Sequence, residues 1–402
     1  MTMRKNSAAL WLLVGDGFSA FGTWIDFLAI LTLAVYLYHV TPYEMALVSA
    51  VGLLPGMLAA SRIGKLCDRA NPKQLLLFSI VFRVVATGGI LFCGEFVLFL
   101  ALVAVRSLFT TVAGPAINVM AMRAVDAPER PKFYALLNVI NNTAKILAPA
   151  IGTVSSSLAS ESVALLLSAV FSATAFVAFA CVRLKPLAAQ EQGTGSQSGV
   201  DAALPNLLPL VWIAATYACS VFMVNNLFPL VLQQAGMDKS LLGVLVSCSG
   251  AGNILSGLWL ARRPANAEFK GKLAEVIAPA LGQAAGFGVI GIVLWADTPH
   301  TALVLPLIFL VGGTVSARFA VALNVYMSTH YAATMGRVSG TVQAWQNGMI
   351  FLAPLLGALV LDRLGGPALF AFATASSIVS FAAFGFAKAT LKTQSRAPLA
   401  VD

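Results

Sequence analysis

Residues 138–152 read NVINNTAKILAPAIG, and residues 343–357 read QAWQNGMIFLAPLLG. The two stretches lie 205 positions apart and carry one polar pattern within apolar surroundings. Amide matches amide at Asn138 and Gln343, Asn141 and Gln346, Asn142 and Asn347. Leu147-Ala148-Pro149 recurs as Leu352-Ala353-Pro354, and Gly152 recurs as Gly357. Positions 138, 141, 142, 145, 149 and 152 fall on one helical stripe. Each copy therefore predicts a helix with a polar, kinkable face, and the pair predicts a duplicated chain.

Composition sets the solvent around these helices. Of 402 residues, 59% are hydrophobic and only 10% charged, with a mean hydropathy of +0.86. Soluble domains carry about one quarter charged residues. The length therefore counts membrane spans, each needing about 20 apolar residues to cross roughly 30 Å of hydrocarbon. Twelve apolar segments are expected: 10–38, 44–62, 74–94, 96–121, 134–159, 161–183, 207–233, 240–260, 273–295, 301–328, 337–361 and 367–387. Segments seven and eight are joined by a short hairpin around Gly236 to Lys239. The predicted fold class is an all-α integral membrane protein with twelve transmembrane helices in two six-helix bundles. Strands across a bilayer would be about ten residues long and alternating, which these segments are not.

Charge placement supports this count. With the N-terminus on the cytoplasmic side, 19 of the 25 basic residues fall on that side, Lys239 and Arg363 fall outside, and four lie within spans. That asymmetry predicts cytoplasmic N- and C-termini in a multi-pass protein of the cell (inner) membrane. The net charge of +9 is then topological. It faces anionic headgroups and requires no nucleic-acid partner. The first segment contains Asp16 and Asp26 and continues to about residue 38, so it is expected to remain as the first helix. Five cysteines without a C-x-x-C pair read as small apolar residues, and no cofactor or metal framework is expected.

The polar stretch 184–206, LKPLAAQEQGTGSQSGVDAALPN, is a cytoplasmic linker. It separates an N-terminal bundle, residues 1–183, from a C-terminal bundle, residues 207–402. The 205-residue offset aligns span five with span eleven, as a six-plus-six duplication requires. Duplicated bundles with polar faces at their interface are how secondary transporters are built.

A charge at mid-bilayer costs several kcal/mol, about 2.5 or more even on lenient insertion scales. Buried charges must therefore be paired, snorkelled or exposed to a watery cavity. Asp16 and Asp26 in span one are the candidate proton carriers; Asp16 reads equally as a helix-end cap or gate. Arg106, Lys145 and Arg318 are candidates for substrate contact or charge pairing, whereas Arg83 reads as a structural pair or a snorkelled side chain. Depth along each span permits an Asp26–Arg106–Lys145 cluster, and Asp16 and Arg318 could face each other across the halves. Four in-span bases against two acids favour an anionic or zwitterionic solute. Asn138, Asn141, Asn142, Asn225, Asn226, Gln343, Gln346 and Asn347 offer hydrogen bonds to it, or serve as interhelical glue worth about 0.6 kcal/mol each. A membrane enzyme is disfavoured: His39, His300 and His330 sit at span ends and no metal or nucleophile motif appears.

The loop Gly64-Lys-Leu-Cys-Asp68-Arg69-Ala-Asn-Pro-Lys73 resembles the G-x-x-x-D-R-x-x-R-[RK] motif of the major facilitator superfamily, with Pro72 in place of one base. The resemblance implies that Asp68 and Arg69 join a charge network that locks one conformation of the two bundles, with Gly64 and Lys73 as further candidate gate residues of the same loop. Arg106 matches the arginine of the family's span-four motif, without its glutamine and glycine. Ala148-Pro149-Ala-Ile-Gly152 resembles the span-five antiporter motif, with Ala148 for the first glycine, so Pro149 and Gly152 are candidate gate residues. The opening GDGFSAFGTWIDFLAI with Pro115-Ala116 resembles the drug- and siderophore-exporting branch. These similarities imply a monomeric secondary active transporter working by alternating access. They imply proton-coupled export of a small anionic or zwitterionic metabolite such as a siderophore. A broad-specificity drug:proton antiporter and an importer of a metal chelate or lysolipid remain open.

Overall fold

A computed structural model describes residues 7–36, 38, 42–158, 161–184, 207–225, 227–237, 240–263, 269–296 and 300–394. The described residues are helical, with no strand among them. Thirteen α-helices run in order: α1 Ser7–Tyr36, α2 Pro42–Arg69, α3 Pro72–Leu91, α4 Phe96–Thr110, α5 Ala113–Ala124, α6 Arg130–Leu158, α7 Glu161–Ala180, α8 Leu208–Asn225, α9 Phe228–Gln234, α10 Ser240–Arg262, α11 Leu273–Ala296, α12 Thr301–His330 and α13 Met335–Gln394. Nine helical stretches among the described residues are long and apolar enough to cross a membrane.

The helix boundaries follow local chemistry. Asn71 caps α3, its side-chain oxygen accepting from the Lys73 and Gln74 backbone N–H groups, and Pro72 occupies the first turn where no donor is needed. The Glu275 carboxylate accepts from the Lys270 and Lys272 N–H groups ahead of α11. Four of the expected segments depart from single, separate helices. The fourth breaks at Thr111–Val112 into α4 and α5, and the seventh breaks into α8 and α9. The last two expected spans are continuous as α13 except at Gly365, whose φ of 80° only glycine adopts at no cost. Most of the linker, residues 185–206, lies outside the described residues, as do Lys239 and Asn226.

The 205-residue spacing of the sequence repeat recurs in the turns. A 3₁₀ turn at Ala127–Glu129 precedes α6, and one at Ala332–Thr334 precedes α13, again 205 residues apart. Packing divides the molecule unevenly. One large apolar core draws Met120, Phe133 and Tyr134 of the first half together with Phe319, Met335 and Val338 of the second. Two separate cores complete the described residues: Ile25, Val48 and Phe99 in the first half, and Phe228, Phe287 and Phe370 in the second. The halves are thus fused at the end where α2, α10 and α12 finish and α6 and α13 begin.

Candidate functional site

At the fused end, α2 and α13 approach backbone to backbone. A Cβ at Gly64 would strike the Gly336 carbonyl, and one at Gly340 would strike the Ala60 carbonyl. Glycine is therefore required for this close crossing rather than for a turn. The Asp68 carboxylate accepts from Gly336 N–H (2.6 Å) and Arg337 N–H (2.7 Å), the first free donors of α13. Ser61 and Thr341 share a hydroxyl hydrogen bond of 3.0 Å one turn deeper.

A second contact lies on the other flank. Arg130 opens α6, and its guanidinium donates to the Ser328 carbonyl of α12 (3.2 Å) and to the Val125 and Met122 carbonyls (3.3 Å each) at the end of α5. One acid thus caps a helix N-terminus across the halves, and one base caps a helix C-terminus across them. From sequence, Arg130 counted only as a cytoplasmic base. Its available signal was its place directly after a duplicated turn, opposite Met335 in the other copy. Lys73 does not join the Asp68 contact: its ammonium donates to the Ala180 and Val182 carbonyls at 2.6 and 2.9 Å, closing the end of α7. Arg69 is exposed.

Within the first half lies a buried charged cluster. Arg106 Nε meets Asp26 Oδ2 at 3.1 Å, with side chains only 8% and 2% exposed. Thr87 donates to the same oxygen at 3.1 Å, and Arg106 Nη2 donates to the Thr23 carbonyl. Arg83 lies beside this pair and is held by hydroxyls: Ser19, Thr23 and Ser172 accept from it at 3.0–3.3 Å. Asp26 Oδ1 and Arg83 Nε are buried without a hydrogen bond among the described residues. The hydroxyl set of α1, α3 and α7 escaped sequence reading, because serine and threonine in apolar helices look like packing residues.

The expected Asp26–Arg106–Lys145 cluster does not form. Lys145 is exposed, with its ammonium 5.8 Å from the centre of the Trp24 ring. Trp24 and Asp26 are two residues apart on α1 and so point to opposite sides, one toward α6 and one toward α3 and α4. Equal depth could not reveal that.

Asp16 lies on the α6 side as well. Asn141 donates to its Oδ2 at 2.7 Å and also bonds the Leu137 carbonyl. Asn142 donates to the Asn138 carbonyl and side-chain oxygen, and Asn138 Nδ2 is buried with no hydrogen bond among the described residues. The α13 amides lie against the first half. Gln343 packs on Gly114 of α5 with its oxygen buried and without a hydrogen bond among the described residues, and Asn347 reaches Gly56 of α2 beside Thr111. Gln346 is half-buried, and Asn225 is exposed at the end of α8. The Arg318 guanidinium lies 5.4 Å from the Trp259 ring centre. Pro149 and Gly152 lie on α6, with their side-chain surroundings outside the described residues.

Comparison with known proteins gives a family context. The model of the Major Facilitator Superfamily matches residues 12–354. An uncharacterized MFS-type transporter of Bacillus subtilis, YfiS, is 25% identical over 383 residues, which cover 90% of this chain and 88% of the relative. The crystal structure of the human organic anion transporter MFSD10 (TETRAN) superposes with a TM-score of 0.72 at 15% identity, covering 93% of this chain and 98% of that one. A bacterial homologue of the iron transporter ferroportin, in its outward-facing state, gives 0.66 at 14% identity, covering 93% and 96%. At those identities the two structures speak for the fold alone.

Proposed function

Because this chain belongs to the major facilitator superfamily, we propose that it is a proton-coupled exporter of a small anionic or zwitterionic metabolite, working by alternating access. In this reading twelve spans form two six-helix bundles, residues 1–183 and 207–402, joined by a cytoplasmic linker. Both termini face the cytoplasm, and the fused end is the closed inner gate of a monomer in the cell membrane.

The observation that carries the reading is the polar seam between α1 and α6. It offers one acid, Asp16 with Asn141, and one exposed base, Lys145 over Trp24. They are four residues apart on α6 and eight on α1, about 6 to 12 Å along the helices. A solute bearing both a cationic and an acidic group spans that interval. Its cationic group competes with a proton for Asp16, so the two exclude each other. Mutual exclusion at one alternately exposed carboxylate is exchange: a proton entering drives the solute out.

Asp26 and Arg106 form the second part of the switch. The unbonded Asp26 Oδ1 is where a second proton would reside. Protonation there would leave Arg83 and Arg106 without their shared counter-charge, a costly state in low dielectric. That cost couples proton binding to movement of α1 against α3 and α4. Gln343, Gln346 and Asn347 on α13 supply hydrogen-bond partners from the second bundle, and Asn138 and Asn142 supply them from the first. The siderophore-exporting branch fits a solute of this size and polarity.

The test is counterflow in proteoliposomes under an imposed pH gradient, with a panel of zwitterionic and polycarboxylate solutes. Wild-type protein should exchange protons for one class. Asp16→Asn should weaken solute:solute exchange, because the cationic group loses its counter-charge, and the exchange that remains should lose the part of its pH response that arises from competition at Asp16. A pH response unchanged in Asp16→Asn refutes the assignment. A second reading, co-transport, applies to a purely anionic solute that takes Arg106 from Asp26, since protonation would then favour binding. It predicts solute and protons moving in the same direction.

A further inference from the structure

Past Trp11, Phe27 is the large apolar side chain of α1 that the described residues leave most exposed, at 46%. The packing of α1 fixes where it points. α7 covers Gly15 and Gly22, whose Cβ positions would meet Phe179 and the Ser168 carbonyl. α3 and α4 take Ser19, Thr23 and Asp26 through Arg83, Thr87 and Arg106. α6 takes Gly17 and Asp16 through Ile140 and Asn141. Phe27 lies eleven residues after Asp16, about three helical turns, and so falls on the Asp16 stripe. That stripe looks out between α4 and α6.

The opening between α4 and α6 is the space between the halves, not the bilayer. Ile146 and Val139 of α6 meet Gly250 and Gly257 of α10 in the second half. Lys145 and Leu147 project to opposite sides of that contact, since two residues turn a helix by about 200°. Leu147 is 47% exposed. A lysine facing lipid at mid-span costs several kcal/mol, so Leu147 marks the lipid side and Lys145 the inner side. On this inner side the Lys145 ammonium lies over Trp24, three residues before Phe27.

The two rings of α1 form a corner. Trp24 and Phe27 meet edge to face, with ring centres 5.9 Å apart and planes at 86°. The Lys145 ammonium lies 5.8 Å from the Trp24 ring centre. α1 begins in the joint core at Ala8, Ala9 and Leu12. The order away from the fused end is therefore Asp16, then Lys145 on Trp24, then Phe27. The last step is about 4.5 Å along the helix.

We propose that the exported solute carries an aromatic ring beside its acidic group, and that Phe27 is the residue that selects it. With the cationic group at Asp16 and the acidic group on Lys145, the part of the solute just beyond the acid lies against Phe27. A third ring placed there completes the edge-to-face arrangement that Trp24 and Phe27 begin. Aromatic pairing adds about two- to tenfold in affinity beyond the area buried. An aliphatic group of the same size gains the area alone. The inference rests on the roles given to Asp16 and Lys145 above.

The experiment measures binding, not transport, with full-length protein in nanodiscs. The probe is tritiated glycylglycylphenylalanine, whose ammonium and carboxylate ends lie up to about 10 Å apart and whose ring adjoins the carboxylate. Unlabelled phenyl tripeptide should displace it about two- to tenfold better than the counterpart containing cyclohexylalanine. Phe27→Leu should abolish that preference while holding the cyclohexyl compound within about twofold, which also reports a folded site. Phe27→Tyr, which keeps the ring, should retain the preference. Phe372→Leu, at a ring of equal exposure on α13, should leave it unchanged. Equal displacement by the two compounds in wild-type protein, or a preference that survives Phe27→Leu, overturns the aromatic site and leaves the two-charge reading intact. A ring preference without proton-driven exchange refutes export and keeps the site. Saturable binding of neither compound overturns both.

Discussion

The Asp68 carboxylate and the Gly336 amide, 268 residues apart in sequence, are joined by a hydrogen bond of 2.6 Å. This bond and its 2.7 Å neighbour to Arg337 end the close crossing of α2 and α13. Hydrogen bonds to a charged acceptor contribute about 1.5–3 kcal/mol each. Asp68→Asn keeps the shape and one acceptor oxygen but loses the charge. It should open the fused end about tenfold or more, since each tenfold is about 1.4 kcal/mol. Labelling of Ser61→Cys by a membrane-impermeant maleimide, in a cysteine-free background, should accelerate accordingly. An unchanged labelling rate would remove Asp68 from the closure.

Arg130 holds the other flank through carbonyls of α5 and α12. Arg130→Gln should accelerate the same labelling by a similar factor, because three helix-end carbonyls lose a charged donor. Combined with Asp68→Asn, the two effects should multiply, as for independent contacts on separate helices. A double variant no faster than the stronger single variant would mean that one contact governs closure.

The Asp26–Arg106 pair is buried, and removing one member strands the other. Asp26→Asn and Arg106→Gln should each lower stability by about 3–5 kcal/mol. The Asp26→Asn/Arg106→Gln double variant should recover a large part of that loss, since no net charge of the pair is left behind. Thermal unfolding in detergent measures the cycle, and strict additivity would contradict the contact. The hydroxyl cradle makes a parallel statement for Arg83: Ser172→Ala removes one acceptor and should cost about 1–3 kcal/mol.

Lys145 is exposed and makes little contribution to folding. Lys145→Ala should leave the unfolding temperature within a degree or two's equivalent of about 0.5 kcal/mol. Its effect should fall on transport, with a KM raised by about tenfold for an acidic solute, and Lys145→Arg should restore part of it. An unaltered KM in both variants would exclude Lys145 from the solute path.

The sequence by itself determined the solvent, the helices and the duplication, because these depend on composition and on spacing along one chain. A 59% hydrophobic chain in segments of about 20 residues has few other options. The matched amides at Asn138 and Gln343 and the Asp68 loop were legible for the same reason: they are patterns in one dimension. The depth of Asp26 and Arg106 was legible too, since rise per residue is fixed, and the two do meet. Tertiary structure decided which way each side chain points around its helix. Rotation sent Trp24 toward α6, where Lys145 lies over its ring, and sent Asp26 toward Arg106. It also decided how helices of unequal length are offset, which moved Arg318 to the level of Trp259 at the end of α10. Apolar helices carry weak rotational signals, because lipid-facing and partner-facing surfaces are both hydrophobic. Only the packed neighbours fix the angle.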